Sequence, residues 1–183
     1  MIAMTETTKP SEGLALRYAN AIKGLAALEP IWNALQTHHS EITPELGEDT
    51  PKRSLPDAWR IRRSKYERWL GDPDTFFVVA EADGEPVGYA FVTIGPPYAG
   101  WATGDRLAEL ETLSILTDRR SEGIGAALLN AVWKRLAELG VEDMAITTTV
   151  TNIDAQRFYE RQGFRQRFAV YYGKSPGSSS KTQ

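Results

Sequence analysis

"TDRRSEGIGAALLNAV", residues 117–132, sets two arginines and two glycines between a strand-like run and a helix-like run. Downstream, Ile124, Leu128, Ala131, Val132, Leu136 and Leu139 recur at the period of a helix that buries one face. Gly140 is placed to take the left-handed position past that helix. Upstream, "LAELETLSIL" (107–116) reads as a strand. The first amides of a helix have no internal acceptors and lie at the positive end of its dipole. Gly123 and Gly125 carry no side chain to cover them, and Arg119 and Arg120 add permanent cations suited to phosphate oxygens. Together these features make a pyrophosphate site. The same residues also fit a tight strand-to-helix turn with solvated arginines, and the stretch alone leaves both open. A P-loop is excluded, because no G-x-x-x-x-G-K-[ST] occurs. The dinucleotide fingerprint fails too, since Leu128 stands where its third glycine or alanine belongs.

Working outward, "LALRYANA" (14–21) predicts a first strand and "IKGLAALEPIWNALQTHH" (22–39) a helix that Pro30 kinks or restarts. The proline-rich, charged 41–56 reads as a loop, and "DAWRIRRSKYERWL" (57–70) as a second helix. "TFFVVAEADGEPVGYAFVTI" (75–94) is a hairpin turning at "ADGEP", and 95–105 is a Gly/Pro-rich loop. After the 124–139 helix come a β-branched strand at 141–150 and a short helix in "NIDAQRFYERQGF" (152–164), capped by Asn152 and closed by Gly163. "RQRFAVYYGK" (165–174) predicts a last strand. The order β α α β β β α β α β predicts a mixed α/β (α+β) fold around a mostly antiparallel central sheet flanked by helices. One domain is expected over 13–174, between a flexible N-terminal arm (1–12) and a flexible C-terminal tail (175–183).

The formal net charge of −3 argues against broad attraction to nucleic acid or anionic lipid, so any anion site must be local. The chain has no cysteine, which removes disulfides, thiolate catalysis and cysteine zinc sites together. No apolar run approaches the ~20 residues that span a bilayer, and the first residues lack the apolar core of a signal peptide. A cytoplasmic location is the expectation.

"RRSEGIG" resembles the R-x-x-G-x-G loop of the GNAT superfamily of N-acetyltransferases, through Arg120, Gly123 and Gly125. "LETLSI" (110–115) resembles that fold's fourth strand, and "NIDAQRFYERQGF" its N-x-x-A-x-x-F-Y-E-x-x-G-F segment. The pieces keep the family's order and spacing over about residues 76–172. The resemblance implies a GNAT-like acyl-CoA N-acyltransferase fold with acetyl-CoA as donor and no metal. It implies that main-chain groups of Leu113, Ser114 and Ile115 hold the pantetheine arm. The pyrophosphate would lie on the amides of Arg120, Ser121, Glu122, Gly123, Ile124, Gly125 and Ala126, with Arg119 beside them. Asn152 and Tyr159 match positions near the cofactor thiol.

Acetyl transfer needs a deprotonated amine, donors for the developing oxyanion and a proton for the departing thiolate. Tyr159 is the candidate acid: its phenol can donate and its place agrees with the resemblance. Glu111 is the candidate base. Strict alternation puts it on the face of Leu113 and Ile115, and family members resemble it in carrying a glutamate there. A strand-end carboxylate with a cap or ion-pair partner is the alternative, and Glu109, two residues earlier on the same face, is the nearest competitor.

His38 and His39 read as surface or loop-lining residues, and the helix Trp59, Tyr66 and Trp69 as a core stripe backed by a solvated basic face. Tyr98 and Trp101 are placed to cover an acceptor entrance, or simply to pack in their loop. The expected activity is direct transfer of acetyl from acetyl-CoA to a primary amine, on a small molecule or a protein, in a ternary complex. A non-catalytic acetyl-CoA-binding or regulatory domain of the same fold is the alternative, and a nucleotide-phosphate binder of another fold a weaker one. Dimers are common in the resembling family, so a homodimer is compatible.

Overall fold

The structure is a computed structural model and describes residues 13–44, 50–100 and 102–173. Its elements are β1 (Leu14–Ala19), a 3-10 helix (Ile22–Leu28), α1 (Glu29–Ile42), α2 (Leu55–Trp69), β2 (Phe76–Ala82) and β3 (Glu85–Gly95). Then follow β4 (Leu107–Ile115), a short 3-10 turn (Thr117–Arg119), α3 (Ile124–Glu138), β5 (Asp143–Ile146) and α4 (Ile153–Arg161). Pro30 acts as a restart: the 3-10 segment ends at Leu28, and the proline takes the first turn of α1, where its missing N–H costs nothing. The hairpin turns on Asp83 and Gly84, both at positive φ, as a two-residue connection between right-twisted strands requires.

The strands form one sheet in the order β1-β2-β3-β4-β5, antiparallel except for the parallel pair β4–β5. The chain returns from β4 to β5 through α3, the crossover that parallel pairing demands. Both faces are covered. On one, Ile124, Leu128, Val132 and Leu136 of α3 pack on Val78, Ala80, Val92 and Leu110. On the other, Leu28, Ile31, Trp59 and Tyr66 cover Phe77, Val79, Tyr89 and Phe91. β2 therefore reads as a nearly continuous apolar run rather than an alternating one. Among the described residues, no helix is long and apolar enough to cross a membrane.

Two expectations need correction. The strand over 165–174 is absent from the described part, 165–173. Phe168, Val170 and Tyr172 would share one strand face, yet they are 59%, 80% and 67% exposed, so that face has no layer to bury against. β5 is likewise shorter than the 141–150 run, because only Asp143–Ile146 find partners on β4. The arms expected over 1–12 and 175–183 lie outside the described residues, as does Trp101.

Candidate active site

The loop between β4 and α3 is shaped by main-chain handedness. Ser121 and Gly123 stand at φ 67° and 79°, with Glu122 between them not in that region. Such alternation curls successive N–H groups toward one concave side. The first helical bond of α3 runs from the Ala127 amide to the Gly123 carbonyl. Among the described residues, the amides of 121–126 have no acceptor. These donors, at the positive end of a fifteen-residue helix, fit a diphosphate.

The side chains divide differently from the sequence expectation. Arg119 is engaged with Glu122, its Nε 2.9 Å from Oε1 and its Nη2 3.0 Å from Oε2. This pairing, by hydrogen bond first and charge second, holds the Glu122 carboxyl below its usual range. Arg120 has no ion-pair partner among the described residues. Gly125 also differs: a Cβ there would lie 3.4 Å from Ile115 Cδ1 and Phe158 Cζ, so its missing side chain faces the packed interior. Only Gly123 is required by conformation.

β4 leads into this loop and parts from β5 on the way. Parallel pairing stops at Leu110↔Ile146, whereas β4 continues to Ile115. The stretch holding Leu113, Ser114 and Ile115 thus has no partner on the β5 side. Leu113 and Ile115 pack toward α3, and the Ser114 hydroxyl donates to the Ile31 carbonyl of α1 at 3.1 Å.

Glu111 sits where the strands part. β3 pairs Phe91 with Thr112 but Val92 with Leu110, so Glu111 is an extra residue on β4, a β-bulge. It is the one β4 residue with a Cα partner on neither neighbour. The bulge reverses the expected facing. Glu111 does not share the face of Leu113 and Ile115; its Oε1 accepts from Thr93 Oγ1 at 3.0 Å, on the side of α1 and α2. Glu109, paired with Thr93, keeps that same face. Burial raises the Glu111 carboxyl above its usual range; the Thr93 bond opposes this, Glu109 adds to it, and Arg62 and Lys65 oppose it.

Tyr159, on α4, is half-buried against Phe158 and Phe164. Burial pushes its phenol up to about 12. It lines a cavity of about 780 Å³ together with Glu109, Tyr98, Asp143 and Phe168; Glu111 is not among the lining residues. Asn152 caps α4, its Oδ1 accepting from the Ala155 amide at 3.2 Å, which occupies that oxygen structurally. His39 is lowered by burial first and then by His38, Arg120 and Arg62. Trp59 and Tyr66 are core residues, while Arg60 and Arg63 pair outward with Asp57 and Glu67.

The bulge and the hydrogen bond between the Tyr66 and Thr112 hydroxyls escaped the sequence expectation, although β4 carries a signal for the bulge. Its core residues Leu110 and Leu113 are three apart, and a strand accommodates that only with one extra residue.

Residues 32–164 match the sequence model of the acetyltransferase (GNAT) family. A mycothiol acetyltransferase of Saccharomonospora viridis is 27% identical over 114 residues, covering 62% of this chain and 37% of that protein. An aminoglycoside N(6')-acetyltransferase type 1 of Stenotrophomonas maltophilia is 28% identical over 100 residues, covering 55% of this chain and 65% of that one. The chain spans less than two thirds of the length of such curated relatives. The solved structure of AAC(6')-Iy with the bisubstrate analogue CoA-S-monomethyl-acetylneamine superimposes with a TM-score of 0.64 at 21% identity, covering 88% of this chain and 98% of that chain. At that identity the likeness speaks for the fold, and the family match extends over most of the chain. The chain therefore belongs to the acetyltransferase (GNAT) family.

Proposed function

We propose that this protein transfers an acetyl group from acetyl-CoA to a primary amine by direct attack in a ternary complex. The observation that carries the proposal is the opening between β4 and β5, which begins beside a half-buried carboxylate and leads to a helix start with free amides. The CoA-containing bisubstrate analogue bound in a structural neighbour supports the same donor. When bound, acetyl-CoA supplies an acetyl group activated as a thioester.

The amides of 121–126 and Arg120 hold the pyrophosphate, and the Leu113–Ile115 main chain on the open side of β4 holds the pantetheine arm. Glu111 takes the proton that the acceptor ammonium must lose, directly or through water. Its raised carboxyl makes it a better base toward an amine than an ordinary surface glutamate. Tyr159 keeps its proton at any working pH and donates it toward the departing sulfur. With no cysteine in the chain, no thiol carries a covalent acyl group between donor and acceptor.

The test is acetyl-CoA turnover over a panel of aminoglycosides, amino acids, polyamines and peptide N-termini, following thiol release and acetylated product. Amine-dependent release is expected. Tight acetyl-CoA binding with no transfer to any amine would favour the non-catalytic binding domain, and absence of binding would overturn both.

A further inference from the structure

Three buried hydroxyls end on the main chain of the bulge. Tyr89 and Tyr66 lie with their hydroxyl oxygens 3.0 Å apart, Tyr66 Oη is 2.7 Å from Thr112 Oγ1, and Thr112 Oγ1 is 2.7 Å from the Glu111 carbonyl oxygen. Chemistry fixes the direction of this chain. A carbonyl only accepts, so the single Thr112 proton is committed to it. Tyr66 must then donate to Thr112, and Tyr89 to Tyr66. Burial, first among the causes, raises both phenols above the ordinary tyrosine value, so neither is ionised at working pH.

The chain of hydroxyls ends on the bulge residue itself. Glu111 has no Cα partner on β3 or β5, and at this break in the register the Thr112 hydroxyl donates to its carbonyl. Tyr66 is held in turn: its ring stacks on Phe91 with centroids 4.0 Å apart and meets Tyr89 edge-on at 6.4 Å. Side chains from α2, β3 and β4 thus converge on one peptide group, two bonds from the Cα that carries the candidate base.

We propose that Tyr66, through Thr112, is a positioning residue that holds the β4 bulge and thereby aims Glu111. Tyr89 completes the chain as its terminal donor. This inference rests on the assignment of Glu111 as the base, and its test separates the two. The charged groups acting on Glu111 are Glu109 on its own strand and Arg62 and Lys65 from α2, with Thr93 on β3 bonded to its carboxylate. The variants leave all four in place.

Tyr66→Phe keeps the stacked ring and removes only the hydroxyl; Thr112→Val and Tyr89→Phe interrupt the chain at its other links. Measurements are the pH profile of kcat, the KM for acetyl-CoA, and amide hydrogen exchange at 111–113. For Tyr66→Phe, kcat is expected to fall about tenfold, as for a catalytic group displaced by a fraction of an ångström. The acid limb moves, exchange at 111–113 quickens, and the KM for acetyl-CoA stays within about twofold, because the cradle is untouched. Tyr89→Phe follows with a smaller effect of the same kind. In a Glu111→Gln background, Tyr66→Phe adds little further loss, as expected for residues that act as a unit.

Unchanged exchange at 111–113, or an unmoved acid limb in Tyr66→Phe while Glu111→Gln abolishes that limb, would overturn the positioning role and leave the base in place. An acid limb that survives Glu111→Gln would remove the base itself, and the positioning of a base with it. Should Tyr66→Phe fail to fold, Thr112→Val and Tyr89→Phe decide the same outcomes.

Discussion

Tyr159 and Glu111 occupy environments that push a phenol and a carboxyl upward for the same reason, loss of water around the charged form. For Tyr159 the consequence is constancy. With its phenol near 12, it contributes no basic limb below about pH 11. Tyr159→Phe should lower kcat by roughly tenfold while leaving the KM for acetyl-CoA unchanged, since a thiol of pKa about 8.5 already leaves tolerably well. Steady-state kinetics across pH would check this, and an unaltered kcat would take Tyr159 out of the mechanism. For Glu111 the consequence is a stability cost. The folded carboxyl binds its proton more tightly than the unfolded one, so stability falls as pH rises from the ordinary carboxylate value through the raised one. Glu111→Gln should therefore melt higher than the parent at pH 8, with the difference vanishing near pH 4, while losing activity. Equal melting shifts at both pH values would contradict a raised carboxyl.

At the scale of elements, the close approach of β3, β4 and α3 depends on Gly88. A Cβ there would stand 3.0 Å from the Ser114 carbonyl oxygen, 3.2 Å from Ile115 Cγ1 and 3.3 Å from Leu128 Cδ1. The nearest of these is backbone and cannot swing away. Gly88→Ala should thus displace the end of β4, at a cost of about 1–3 kcal/mol in denaturant unfolding, and weaken acetyl-CoA binding because the same segment forms one wall of the opening. A variant of parental stability and affinity would show that β4 yields without loss. Most elements were legible in the sequence because each carries a local signature. Asn152 caps α4, Pro30 opens α1, and the Asp83–Gly84 pair turns the hairpin. The closing strand was misjudged because alternation in 165–174 records a capacity to pair, and pairing needs an edge and a covered face that local sequence does not contain.

Across the whole molecule the net charge is −3, so if Arg120 and the loop amides hold the donor's phosphates as proposed, donor binding should be salt-sensitive while stability is much less so. Acetyl-CoA at a hundred times its Kd should stabilise the fold by about 2.7 kcal/mol. The resulting rise in Tm should shrink as ionic strength increases; a rise indifferent to salt would argue against phosphate recognition by Arg120 and the loop amides. The sequence by itself determined the family. "RRSEGIG" between strand and helix is local chemistry, and "LETLSI" and "NIDAQRFYERQGF" hold it in register. Tertiary structure alone decided that Gly125 faces Ile115 and Phe158, and that Glu111 points toward α1 and α2. The physical reason is that a side chain's direction depends on its strand's partners. One extra residue against β3, at the place where β5 turns away, reverses the face that alternation assigns to Glu111.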